Sequence, residues 1–136
     1  MDMVDMRVGA EDLFRMVCVE LDEGRTVTIP VNGDSMWPFI RRGDVVVLGR
    51  KVEYEVDDIV FALTDCGVML HAVVGEGCVM GTRNLCRREK VVHVAGYVKS
   101  VVRGDERLDT DGWRWRLAMV LWRLARPIRR LLVWWM

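Results

Sequence analysis

Histidine is scarce in this 136-residue chain, with only His71 and His93, so any imidazole chemistry has two positions to draw on. The four cysteines, Cys18, Cys66, Cys78 and Cys86, form no C-x-x-C pair and have no histidine at zinc-finger spacing. That argues against a metal site, and neither metal nor cofactor is expected. Free thiols and a reducing compartment are the default reading, although the same spacing would suit two disulfides in a secreted protein. Met1 to Ala10 contains Asp2 and Asp5 and no apolar run, so the expectation is neither a signal peptide nor an anchor there. There is no internal repeat and no low-complexity tract. No acidic residue follows Asp111.

That last absence divides the chain electrically. Lysine plus arginine and aspartate plus glutamate each number 20, for zero net charge, yet 112–136 holds six arginines and no acid. The body is therefore acidic and the tail basic, which suggests a separate task for the tail and gives no reason to expect nucleic acid. A 51% hydrophobic and 29% charged composition permits one packed domain plus a short appendage.

Leu13, Phe14, Val17 and Leu21 recur at helical spacing, predicting an amphipathic helix over Glu11–Glu23 that stops at Gly24. From Arg25 short β-rich runs follow: Thr26–Val31, Val45–Leu48, Ile59–Leu63, Val68–Val74, Cys78–Met80 and Val91–Val102. Without intervening helices, these imply a mostly antiparallel sheet or barrel. The expected organisation is an N-terminal helical segment at 1–24, a β domain at 25–104, a polar linker at 105–112 and a basic, Trp-rich helix at 113–136.

In that last helix Leu117, Leu121, Leu124, Ile128, Leu131 and Trp135 share one side, and Arg116, Arg123, Arg126 and Arg130 the other. Pro127 should kink or split it. Central arginines each cost about 2.5–3.5 kcal/mol on insertion scales, which disfavours a membrane span. Two placements stay open. The apolar face packs on the domain, or it lies at a membrane surface with the arginines toward anionic headgroups, which is favoured here.

The most informative stretch is Val31-Asn32-Gly33-Asp34-Ser35-Met36-Trp37-Pro38-Phe39-Ile40-Arg41-Arg42-Gly43-Asp44. Glycine before the serine lets backbone approach a substrate closely, and Pro38 fixes the turn behind it. On pattern alone this is an ordinary polar loop between two strands. The combination of Gly33, Ser35, Met36, Pro38, Gly43 and Asp44, however, resembles the nucleophile box shared by LexA-type self-cleaving repressors and type I signal peptidases. The resemblance covers roughly Thr26 to Val102. It implies a mainly β, barrel-like antiparallel domain with a short N-terminal helix and a C-terminal basic amphipathic helix.

The same resemblance puts a general base on an apolar strand downstream. Here that strand is Val68–Val74, and it carries His71, as in the histidine-type signal peptidases, with Ala72 where arginine is usual. A serine hydroxyl needs a neighbour to take its proton, and imidazole, with a reference pKa of about 6.5, can accept it and return it to a leaving amine. His93 lies on an alternating strand and reads as solvent-facing or structural. The family's Gly-Asp-Asn box matches Gly81, Thr82 and Asn84, so Thr82 stands where the imidazole-orienting acid is expected. Asp65, Glu76 and Glu89 are substitutes that the sequence does not rank. Gly33, Asp34, Met36 and Val31 are expected around the oxyanion and substrate cleft. The segment Cys86-Arg87-Arg88-Glu89 is similar to one in small bacterial peptidase-like proteins found beside peptide-export genes.

The resemblance thus implies a serine endopeptidase with a Ser35–His71 dyad, acting on a leader or signal-like peptide at the cytoplasmic or inner-membrane surface. The alternative is a catalytically weak or inactive peptide-binding or regulatory module of the same fold, which Thr82 favours. Transcriptional control is disfavoured, because residues 1–24 are too short for a helix-turn-helix domain and are not basic.

Overall fold

The computed structural model describes residues 9–83 and 88–135, the last three of them as backbone. In chain order the elements are α1 (Ala10–Asp22), β1 (Val27–Pro30), β2 (Val45–Gly49), β3 (Ile59–Thr64), β4 (Gly67–Gly75), β5 (Cys78–Met80), β6 (Glu89–Arg103), β7 (Glu106–Asp109), α2 (Trp113–Leu124) and α3 (Arg126–Trp135). The fold is mainly antiparallel β with helices toward the ends, as the strand pattern implies.

Helix α1 starts after Gly9, with Glu11 and Asp12 in its first turn, where carboxylates complement the helix dipole. It buries Phe14, Val17 and Leu21 of the predicted stripe and half-buries Leu13, and Phe14 meets Phe61 of β3 at 5.6 Å between ring centroids. The approach to β6 is close. A Cβ at Gly96 would lie 2.6 Å from both the Gly49 carbonyl oxygen and Leu21 Cδ1, so only glycine fits there.

All strand pairings are antiparallel, in the order β1-β2-β6-β3-β4-β5, with β7 added to β6. Strand β6 also bonds to β5, so β3, β4, β5 and β6 close into a small ring. The two faces of these strands support two apolar clusters. The larger holds Ile40, Leu48, Phe61, Val98 and Val101 under α1, and the smaller holds Val60, Ala62, Val79 and Tyr97.

Two differences from the expected organisation have local causes. The stretch 105–112, read as a polar linker, contains β7, which folds back on β6 through Gly104 and Asp105 with Arg103 opposite Glu106. Gly104 takes φ +60, the left-handed conformation that a two-residue hairpin loop requires. The tail forms two helices separated at Ala125, with Pro127 in the first turn of α3, where its missing N–H costs nothing. Cys18 and Cys78 are free thiols.

Asp44 ties the long β1–β2 loop to the far end of β6. It is 3% exposed and accepts bonds from Arg103 Nε at 3.0 Å, Arg103 Nη2 at 2.9 Å and the Arg41 N–H at 2.8 Å. Burial alone would raise its carboxyl, but the Arg103 guanidinium and the Arg41 N–H outweigh burial and hold it below the usual carboxylate range. A carboxyl depressed in the folded state contributes stability above its unfolded pKa of about 3.9, and that contribution is lost as pH falls through the folded value. Asp44→Asn should therefore lose about 1–3 kcal/mol near pH 7. In urea unfolding its midpoint should decline less than wild type's between neutral pH and pH of about 3.

Candidate active site

Ser35 sits near the tip of the loop that joins β1 to β2. The loop's neck is closed by Val31 N–H to Asp44 carbonyl at 2.8 Å and Gly43 N–H to Val31 carbonyl at 3.0 Å. Beyond the neck the chain coils tightly, with Trp37 N–H on the Asp34 carbonyl and Ile40 N–H on the Met36 carbonyl, each at 3.0 Å. Met36 and Ile40 are buried in the larger cluster, so two apolar anchors hold the turn while Ser35 between them and the neck stays exposed. The Trp37–Pro38 peptide is cis.

The loop is braced from outside. The Ser35 carbonyl accepts the Arg83 N–H at 3.1 Å, and the Thr82 hydroxyl donates to the Trp37 carbonyl at 3.0 Å. Helix α2 adds Trp122, whose Nε1–H donates to the Thr82 carbonyl at 2.6 Å and whose ring lies edge-on to those of Trp37 and Phe39. Thr82, expected to orient the imidazole, is thus engaged with the serine loop, because a hydroxyl beside a main-chain carbonyl donates to it. Asn84 lies outside the described residues, as do Cys86 and Arg87.

A cleft of about 500 Å³ opens beside Ser35. One wall is Ile29 to Gly33 and the other is Val68, Met69 and Leu70 of β4, with Leu13 and Phe61 adding apolar surface. Val31, Gly33, Ser35 and Met36 all line it. Asp34 does not. Its carboxylate turns to Arg42 Nη2 at 3.4 Å.

His71 directly follows Leu70 on β4. Its Nδ1 is 3.2 Å from Glu89 Oε2, and the two side chains are 7% and 4% exposed. The register explains the meeting. His71 stands opposite Val60, and Glu89 opposite Val79, both members of the smaller cluster, and paired residues share a face. Ring closure therefore brings β4 and the start of β6 to one buried spot. With Glu89 as a carboxylate, which only accepts, a neutral imidazole would pair through Nδ1–H and keep Nε2 as its acceptor nitrogen. Of the three acids the sequence left unranked, Asp65 is exposed and accepts the Lys90 N–H, Glu76 is exposed on the β4–β5 turn, and Glu89 meets the histidine. His93 is exposed and packs edge-on against Phe14, away from the cleft.

Residues 7–79, more than half of the chain, match the family model described as Peptidase S24-like. The chain belongs to the Peptidase S24-like family. No curated protein matches it. The matched span of this S24-like chain includes Ser35 and His71 and ends before Thr82 and Glu89. The bracing tail also lies beyond the match. Membership accounts for the serine-peptidase-like β fold; the Glu89 pairing comes from the geometry of this chain.

Thr82→Val should leave the Trp37 carbonyl without its donor and lower stability by about 1–2 kcal/mol in thermal unfolding. Thr82→Ser, which keeps the hydroxyl, should stay within about 0.5 kcal/mol of wild type.

Proposed function

We propose that the protein is a serine endopeptidase in which Ser35 is the nucleophile, His71 the general base and Glu89 the residue that orients His71. The observation that carries this reading is the buried His71–Glu89 pair at 3.2 Å, with His71 on β4, the strand that walls the cleft where Ser35 is exposed. His71 Nε2 takes the hydroxyl proton as Ser35 Oγ attacks the scissile carbonyl, then returns it to the departing amine. The resulting acyl-enzyme is hydrolysed by the same route in reverse. Glu89 holds the tautomer and stabilises the imidazolium that forms between these steps. Main-chain N–H groups, Ser35's among them, would receive the developing oxyanion, since Gly33 offers no side-chain hydroxyl.

The cleft supports an extended peptide as substrate. Its wall at Ile29 to Gly33 continues β1, which lies at the edge of the sheet, so a peptide laid there can gain main-chain bonds as an added strand. Leu13, Phe61 and Leu70 favour apolar side chains at the subsites, consistent with the apolar part of a leader or signal-like segment. A carboxylate on the imidazole also weakens the case for a non-catalytic peptide-binding module, which rested on Thr82.

A fluorophosphonate probe tests the assignment, because it labels only an activated serine. Wild type should label, Ser35→Ala should not, and His71→Ala should slow labelling by about 10²–10⁴-fold. Glu89→Gln, which retains shape but not charge, should slow it by up to about 10⁴-fold while the protein stays folded by circular dichroism. Labelling of wild type no faster than of Ser35→Ala would sink the peptidase reading.

A further inference from the structure

The tail is amphipathic in the opposite sense to an ordinary surface helix. Arg116 Nη2 bonds Asp58 Oδ1 at 2.6 Å, Arg123 Nε bonds Asp57 Oδ1 at 3.0 Å, and Arg129 lies over the Trp122 ring at 4.0 Å. Met119 is buried, and Trp115 packs against Phe39. The charged and aromatic side therefore faces the acidic body, as opposed to the headgroups that the sequence pattern had suggested for its arginines. Leu117, Leu121, Leu124, Ile128 and Leu131 are left outward, each 49–62% exposed, at helical spacing through α2 and α3. Monomeric proteins seldom leave a continuous apolar patch uncovered without a role for it.

We propose that this stripe is a docking surface for an anionic lipid bilayer, on which α2 and α3 lie in the interfacial plane. Charge selects this occupant. The exposed charges on these helices are Arg114 and Arg130, and no acidic residue lies on either helix, so two copies meeting stripe to stripe would set like charge against like charge. Trp113 at their start is 70% exposed with Arg114 over its ring. Tryptophan and arginine bordering an apolar stripe is the composition that settles at the boundary between acyl chains and headgroups. Burial and the nearby Arg130, Arg88 and Arg123 hold the Arg126 guanidinium below its usual value, and its buried Nε has no hydrogen-bond partner. A positive field of this kind is relieved by a negative surface. Among the described residues no helix is long and apolar enough to cross a membrane, which agrees with lying flat.

Such docking would orient the peptidase, because α2 is also the brace behind the serine loop. Trp122 meets Trp37 on its inner side, while Leu121 and Leu124 beside it face outward.

Flotation of the full chain with phosphatidylcholine vesicles, with and without phosphatidylglycerol, tests this. Wild type should float with the anionic vesicles, more weakly with the zwitterionic ones, and less as salt is added. Leu121→Glu/Ile128→Glu changes two exposed side chains, so its thermal unfolding should match wild type. Its vesicle partitioning should fall by about tenfold or more for each side chain. Arg114→Gln/Arg130→Gln should remove the preference for anionic vesicles and keep the folded state. Failure of wild type to float with either vesicle, or equal flotation of the glutamate variant, overturns the proposal. So does a stoichiometric wild-type dimer in light scattering that the glutamate variant converts to monomer, since the stripe would then be covered by a second copy.

Discussion

The pairing capacity of β6 sets the geometry of everything else. Its 15 residues bond in succession to β5, β3, β2 and β7, with register shifts against β2 and β3 that allow the strand to bend between partners. Bonding to β5 at one end closes the ring, and that end contributes Glu89. The other end contributes Arg103, which holds Asp44 and hence the base of the serine loop. One continuous strand thus fixes both Glu89 behind the proposed base and the loop that carries the proposed nucleophile. The side chains of the site come from separate elements, but their spacing is governed by a single backbone run.

A second dependence links the tail to the loop. Unpaired Asp57 and Asp58 would be costly, since both are buried at the turn entering β3. Arg123 and Arg116 meet them, joined at Asp58 by Lys51 Nζ at 2.5 Å. For Asp58 burial raises the carboxyl, but the Lys51, Glu55 N–H and Arg116 bonds outweigh it and the group is held below its usual value. Buried pairs of this kind add little net stability over an apolar contact, yet breaking one partner is expensive. Their effect here is orientation. They fix which side of α2 faces inward, and so place Trp122 against the serine loop and the leucines outward.

The fold was legible because its elements obey local rules. Alternation and turn residues located six of the strands within a few residues, and the 13, 14, 17, 21 spacing located α1 and its buried face. The missed strand, β7, has a signal in the Gly104-Asp105 pair between Arg103 and Glu106, overridden by the polarity of Glu106, Arg107 and Asp109 on an outer strand. The inward direction of the tail arginines was not legible. Helical periodicity separates two faces but does not say which one meets the domain, and the deciding acids, Asp57 and Asp58, lie more than 50 residues upstream.

Glu89 shows the same limit at the site itself. Local reading aligns the orienting acid with the turn after β5 and finds Thr82 there. The ring offers another route to the imidazole, because β5 pairs with β4 on one side and β6 on the other. Residues on the β6 side of β5 therefore reach the same face that His71 occupies. In the proposed triad β6 supplies the carboxylate, so position 82 needs none, and its threonine clamps the Trp37 carbonyl. Thr82 and Glu89 are both buried, so either position would hold a carboxylate in low dielectric, where it interacts more strongly with the imidazolium of the proposed proton transfer. An acid absent from its expected motif position is thus weak grounds for inferring a dead enzyme when the strand topology can deliver one from across the ring.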